Sequence, residues 1–258
     1  MRNVLAIAGK ELRAYFHSPI AYVVMTIWAA MTGFAFYLHL WVYMNEIFRM
    51  QMMGGMGAPP ISLNDVIIRP MLEGFLLVVL LFLTPVITMR LFAEEKRSGS
   101  MELLLTSPIT DLEIILGKYA GAFLLLLSLI ALTFIYVGLL FIYGNPDPKP
   151  VIVGGLGMLL FGAALLSIGM WISTFTKNQI IAGAVTLAVL LLLYILVWLR
   201  DVGMGSVSQF IAGMSLGVHI ESFAKGVIDV GDLVYYLSVI FLGVFLTARS
   251  VDALKGKP

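Results

Sequence analysis

G-F-L-L-V-V-L-L-F-L-T-P-V-I-T-M (Gly74–Met89), followed by R-L-F-A-E-E-K-R-S-G-S-M-E-L-L-L-T-S-P-I-T-D-L-E (Arg90–Glu113), is the stretch on which the fold turns. Sixteen residues pass without a charge, and then eight charges fall within 24 residues. A helix crossing about 30 Å of hydrocarbon needs roughly 20 mostly apolar residues. Sixteen suffice once Glu73 sits at headgroup level on one side and Arg90 snorkels on the other. The charged stretch is then a loop that returns the chain to the next span.

Five more uncharged runs surround this one: Ser18–Asn45, Tyr119–Pro146, Pro150–Thr176, Asn178–Leu199 and Leu233–Ala248. Composition agrees. Of 258 residues, 60% are hydrophobic and 12% charged, and the mean hydropathy is +1.01. Soluble domains run near 45–50% apolar and about 25% charged. A soluble enzyme, a nucleic-acid binder and a disordered chain are excluded. The absence of cysteine excludes disulfide frameworks, Cys-ligated zinc and thiol catalysis.

A seventh uncharged run, Val202–Ile220, is long enough to span but carries Gly203, Gly205, Gly213, Gly217, three serines and Gln209. Its apolar residues Val207, Phe210, Ile211, Met214 and Val218 follow helical spacing, which predicts an amphipathic or re-entrant segment. Charge decides the parity. With six spans both termini share a face holding eleven basic and seven acidic residues, a net +4. The other face holds five basic and eight acidic, a net −3. The positive-inside rule then puts both termini in the cytoplasm.

The chain before the first span is read as an interfacial helix. Val4, Leu5, Ala8, Leu12, Tyr15 and Phe16 share a face, with Arg2, Lys10 and Arg13 roughly opposite. A cleavable signal peptide is excluded, because the uncharged run after His17 far exceeds a 7–15 residue apolar core. The predicted organisation is an interfacial helix over 1–17 and spans over 18–45, 68–89, 113–143, 151–175, 178–199 and 232–249. A cytoplasmic loop covers 90–110 and an external segment 200–231. No internal repeat is evident, so this is one all-α integral membrane domain.

Within the loop, Gly99 interrupts any helix continuing from the second span. Ser100 can N-cap a new short helix with Glu102 in its first turn. Leu103, Leu104 and Leu105 crowd that helix and Pro108 stops it. Thr110-Asp111-Leu112-Glu113 reads as a capping box opening the third span. Three leucines beside the Glu94-Glu95-Lys96-Arg97 cluster want a partner surface or the membrane interface. A solvated charge run with an interfacial helix is the plainer alternative.

Thr88-Met89-Arg90, Glu94-Glu95-Lys96-Arg97, Gly99, Met101-Glu102, Leu104-Leu105 and Ser107-Pro108-Ile109 together resemble the cytoplasmic signature of ABC-2 type transporter permeases. The gliding-motility-associated (GldF-like) branch is the nearest in pattern, with Ser100 where that branch usually carries threonine. Lys10-Glu11, Ser18-Pro19-Ile20 and Lys177-Asn178-Gln179-Ile180 also resemble the family. The topology matches over the whole chain, the specific motif over about twenty residues.

The resemblance implies a type V exporter-like permease in a bacterial or archaeal inner (plasma) membrane, working as a homodimer or with a related permease. It implies a separate cytoplasmic ABC ATPase that binds the ATP and magnesium, and a coupling helix after Gly99 seated on that ATPase. The coupling residues it implies are Glu94, Glu95, Lys96, Arg97, Gly99, Ser100, Met101, Glu102, Leu104, Leu105 and Pro108. It leaves the substrate-binding residues and the substrate unnamed. An accessory periplasmic or membrane-tethered protein fits the gliding-type branch. The chain carries no G-x-x-x-x-G-K-[ST], since Gly117-Lys118 is followed by Tyr119. Energy must come from another polypeptide. A membrane anchor that holds an ATPase complex without moving solute, or a copper-linked ABC permease using the Met-rich external loop, is the alternative, and an ATP-independent channel ranks below them.

Gly117 and Gly121, and again Gly213 and Gly217, make G-x-x-x-G pairs that serve either internal packing or a dimer. Met44, Met50, Met52, Met53 and Met56 cluster in the first external stretch. They suit either copper(I) or a flexible apolar loop. His39 sits with Tyr37, Trp41 and Tyr43 in an aromatic belt. Arg69 and Glu73 are spaced to pair, His219 and Glu221 read as loop residues, and no catalytic arrangement stands out.

Overall fold

The computed structural model describes residues 2–52, 61–101, 109–198 and 206–255. Among the described residues every regular element is helical. Six helical stretches are long and apolar enough to cross a membrane: Pro19–Met52, Asn64–Ser98, Asp111–Tyr143, Pro148–Ser173, Gln179–Trp198 and Val230–Leu254. The all-α, six-span architecture stands as expected. The elements are α1 (Arg2–His17), α2 (Pro19–Met52), α3 (Leu76–Thr88), α4 (Ala93–Ser98), α5 (Asp111–Tyr143), α6 (Pro148–Ser173), α7 (Gln179–Ile195), α8 (Ser206–Ala212), α9 (Ile220–Ala224) and α10 (Val230–Lys255).

The core is built around α6, whose most apolar window is 72% buried, against 17% for α10. Small residues explain the difference. Gly154, Gly157, Gly162 and Ala164 let neighbouring helices close on α6, with Leu72, Phe223 and Leu126 filling the gaps. Its start is sealed by capping: Asp147 accepts from the Lys149 N–H. The large buried side chains Trp28, Phe161, Phe223 and Tyr236 come from four different helices and share one cluster.

Two elements run differently from expectation. The first span continues as helix to Met52, well past Asn45. At 1.5 Å per residue its 34 residues reach about 51 Å, more than the hydrocarbon thickness, because charged residues such as Glu46 and Arg49 do not break a helix. The exposed Met52 lies on this extension and the exposed Met44 just before it, whereas Met53 and Met56 fall outside the described residues. His39 Nδ1 meets the Ala35 carbonyl at 2.7 Å within the same helix.

The second span begins at Asn64 and opens with two π-helical turns, Asn64–Ile68 and Met71–Phe75, on either side of Pro70. Proline lacks the N–H that a regular α-turn needs, and a wider turn accommodates the gap. Arg69 Nε donates to Glu73 Oε1 at 2.7 Å, as the spacing predicts. The span is tied to the α5–α6 turn by a reciprocal pair. Asn64 Nδ2 donates to the Asp147 carbonyl at 2.9 Å, and the Asp147 N–H donates to Asn64 Oδ1 at 2.8 Å.

The external segment expected over 200–231 folds back as the short helices α8 and α9 rather than as a further span. Gly203 and Gly205 lie outside the described residues. Val207, Phe210 and Met214 are exposed, while Leu216, Ile220 and Phe223 are buried against the helical core.

Candidate functional site

The site is the loop that follows α3, together with what holds it. On α3, the Thr84 and Thr88 hydroxyls donate back to the carbonyls of Leu80 and Thr84, so the span reaches its end without buried unpaired hydroxyls. The chain turns at Met89–Phe92 and starts α4, which has Glu94 and Glu95 in its first turn and Lys96 and Arg97 in its last. Gly99 caps α4 with φ of 74°, a left-handed conformation that a side chain would strain. Gly99 therefore does interrupt the helix. The chain is helical again at Ser100 and Met101.

Burial sorts the residues of the loop. Glu94 points outward with 48% of its side chain exposed, and Arg97 is exposed beside it. Arg90 reaches Glu94 with Nε 3.0 Å from Oε2, and its guanidinium lies 5.2 Å over the Tyr15 ring. Glu95 turns inward, with 14% exposure. The half-buried Lys96 ammonium donates to the Thr174 carbonyl and so joins α4 to the end of α6. Ser98 Oγ and Ser100 Oγ meet at 2.8 Å, and Met101 is buried in the apolar core. Glu102, Leu103, Leu104, Leu105 and Pro108 lie outside the described residues. Thr110 forms the expected capping box with Glu113 at the start of α5.

The anchorage of the loop is a buried ion cluster centred on Lys118, whose side chain is 2% exposed. Its Nζ lies 2.8 Å from Glu11 Oε1 on α1 and 2.7 Å from Glu95 Oε1 on α4, with the Phe92 ring centroid 5.4 Å away. One ammonium thus joins α1, the loop and the third span. Glu95 Oε2 is buried with no hydrogen-bond partner among the described residues. A second carboxylate without its own cation makes the cluster net negative, so each carboxylate depends on Lys118.

The glycine pair on α5 makes this possible. A Cβ at Gly117 would sit 2.6 Å from Ile7 Cβ, and one at Gly121 would sit 2.6 Å from Glu11 Cβ. The first G-x-x-x-G pair therefore serves internal packing, letting α1 cross α5 closely enough for Glu11 to reach Lys118. Asn3 adds hydrogen bonds of 3.2 Å to both oxygens of Glu113. Tyr15 donates to the Ile87 carbonyl at 2.8 Å, and burial holds its phenol far above its ordinary pKa, so it stays a donor.

Sequence reasoning did not identify Glu11 and Lys118. Their signal was local. Glu11 sits on the stripe Ala8, Glu11, Tyr15 that the fold buries, and Lys118 lies between the two glycines of α5. Of the apolar face read from the sequence, Ala8 and Tyr15 are buried within the protein and Leu5 is exposed, since Ala8 and Glu11 are the residues that meet Gly121.

The opposite face gathers polar residues that the sequence reading left as loop. His219 Nδ1 is 2.7 Å from Asp232 Oδ1 and Nε2 is 2.9 Å from the Gly213 carbonyl, with the ring stacked on Tyr235 at 3.8 Å. The Ser222 hydroxyl donates to Asp232. Serine, histidine and aspartate meet here without making a nucleophile. The imidazole faces the Gly213 carbonyl rather than Ser222, so it is not placed to take the serine proton. No group of residues suited to holding a metal occurs among the described residues.

No curated protein matches the chain. The family profile described as ABC-2 family transporter protein matches residues 67–214, more than half of the chain, taking in the anchored loop, Lys118, α6 and α7. With six membrane-crossing helices around α6 and that match, the chain belongs to the ABC-2 family of transporter proteins and is a multi-pass membrane domain of the permease kind.

Proposed function

We propose that this chain is the permease subunit of an ATP-driven ABC-2 exporter, coupling hydrolysis on a separate cytoplasmic ATPase to movement of a substrate out of the cell. Both termini face the cytoplasm in this reading, and two copies form the pathway in an inner membrane. The buried Lys118 carries the proposal. A loop that only connected two spans would not need a desolvated ammonium binding it to α1 and α5 at once. A loop that transmits force does.

The roles divide along the burial pattern. Glu94 and Arg97, outward on α4, give the ATPase its polar contact, with Leu104 and Leu105 as the apolar anchor beyond Gly99. Glu95, Lys96 and Met101 face inward and carry the displacement to α5, α6 and the core. The partner ATPase supplies ATP and magnesium. The Glu94–Arg97 run, Gly99 and Ser107-Pro108-Ile109 support assignment to the gliding-motility-associated (GldF-like) branch, with a periplasmic or membrane-tethered accessory protein as a further partner.

Affinity purification of the tagged chain from its native host tests the core of this reading. A Walker-motif ATPase should co-purify, and Leu104→Asp should abolish that association while leaving the chain in the membrane. Normal ATPase binding by Leu104→Asp sinks the coupling assignment. ATP turnover by the complex in proteoliposomes without flux of any candidate would instead favour an anchor that transmits mechanical work.

A further inference from the structure

On the face opposite the termini, the turn that follows α8 reaches over an apolar slot. The slot lies between α7 and α10, holds about 340 Å³, and is walled by Ile168, Val189, Leu193, Val239 and Leu242. Gly213, Met214 and Leu216 of the turn close its outer end, together with Tyr235 of α10. Within the turn the N–H groups of Gly213, Met214 and Ser215 donate to the carbonyls of Gln209, Ile211 and Ala212. Two hydroxyls of α10 hold it from outside: Tyr235 donates to the Met214 carbonyl at 2.7 Å and Tyr236 to the Leu216 carbonyl at 2.8 Å.

A further fastening passes through His219. Its Nδ1 lies 2.7 Å from Asp232 Oδ1 and its Nε2 lies 2.9 Å from the Gly213 carbonyl oxygen. Both partners are acceptors, and only a ring protonated at both nitrogens donates to both. The ring is also stacked on Tyr235 at 3.8 Å, and an aromatic face favours a cation. A neutral ring has a single proton. Held on Nδ1, where the carboxylate makes the stronger bond, it leaves the Nε2 lone pair against those of the Gly213 carbonyl. The contact that held the turn then pushes on it.

The titratable groups against the ring among the described residues are Asp232, Tyr235 and Tyr236. The second oxygen of Asp232 accepts from Ser222. Other charges of this face have their own contacts: Glu221 pairs with Lys225, Arg69 pairs with Glu73, and Asp229 accepts from the Gly231 N–H. Of these, only the Asp232 carboxylate meets the imidazole directly.

We propose that His219 is a pH-sensitive clasp on the outer end of the slot. As imidazolium it fastens the turn from Gly213 to Leu216 onto α10. When the ring loses its proton, the Gly213 anchor goes and the turn loosens over the slot, while Asp232 keeps its hold on the ring. Fastening is complete while the ring is charged and is lost as pH rises through the range in which imidazoles titrate, about pH 5 to 8. The clasp is independent of the ATPase reading.

Hydrogen exchange of the full chain in detergent micelles tests it, read as protection factors corrected for the intrinsic rate at each pH. The Gly213, Met214 and Ser215 amides should lose roughly tenfold in protection between about pH 5.5 and 8, the effect of one hydrogen bond to a charged group, while α6 keeps its protection. In His219→Gln that pH dependence should vanish. Constant protection across this range in the unaltered chain overturns the proposal, as does an undiminished pH dependence in His219→Gln. A second measurement leaves His219 in place. With His17→Gln and His39→Gln, the ring nitrogen-15 signals report His219 alone, and loss of its second proton should coincide with loss of protection. A ring that titrates while the turn stays protected overturns the clasp. Glu221→Gln should keep the pH dependence, and its disappearance there would assign the switch to the outer carboxylate and overturn the role of His219.

Discussion

Two ion clusters at opposite ends of the same fold show what burial does to charge. Near the termini, one ammonium serves two carboxylates in a pocket closed by Phe92, and its side chain is 2% exposed. On the opposite face, Arg69 pairs with Glu73 and reaches toward Glu221, which also pairs with Lys225 at 2.6 Å. These outer side chains remain between about a fifth and two-fifths exposed. The two close outer pairs, Arg69–Glu73 and Lys225–Glu221, are local, spaced by one helical turn, and water can replace either partner. The inner cluster joins residues 107 positions apart, and nothing replaces Lys118. The outer cluster trims a surface, while the inner one holds three elements in register.

The largest consequence should follow from Lys118→Met. Leaving Glu11 and Glu95 buried without their cation is expected to cost about 3–5 kcal/mol, read as a fall in thermal unfolding of the detergent-solubilised chain. Adding Glu11→Gln and Glu95→Gln should recover much of that loss, since no buried charge then remains. A cost for Lys118→Met no greater than that of an outer pair would erase the contrast between the two ends.

Next in size is Gly121→Leu, whose side chain would collide with Glu11 and lift α1 from α5. Overpacking of this kind costs about 1–3 kcal/mol. A cysteine placed at Ala8, buried in the parent, should become reactive toward a membrane-impermeant maleimide. Continued protection of that cysteine would mean that α1 is held by something other than the glycine notch.

A smaller effect is expected from Asp232→Ala, which strips His219 and Ser222 of a shared acceptor. A loss of about 1–3 kcal/mol should accompany faster hydrogen exchange in α9, and unaltered exchange there would refute the role given to Asp232. Lys225→Ala should come last, at under about 1 kcal/mol, and its effect should shrink further at high salt. Salt should leave the Lys118→Met penalty nearly untouched. Equal salt dependence at both ends would argue that the inner cluster is solvated.

The fold was legible because membrane spans are written in uncharged runs, and six of them are long enough to count. Local chemistry was legible too: Thr110 and Glu113 spell a capping box, and Gly99 marks a break. What could not be read was long-range pairing. Glu11 and Lys118 are each ordinary alone, and only the approach of α1 to Gly117 and Gly121 makes them partners. Facing was the other blind spot. Glu94 and Glu95 are adjacent and alike in sequence, yet a helix turns neighbours about 100° apart, so one meets solvent and the other Lys118. The polar cluster around His219 was hidden because Asp232, its partner, belongs to the next helix.

The length of α2 has a mechanical side. It leaves α1 through a single residue, Ser18, and α1 is fastened to the loop through Lys118. Were that elbow to bend, a rod of about 51 Å would act as a lever, a 10° swing of its base carrying Met52 through about 9 Å. A displacement too small to notice beside the loop would arrive on the far side of the membrane as a stroke wider than a side chain.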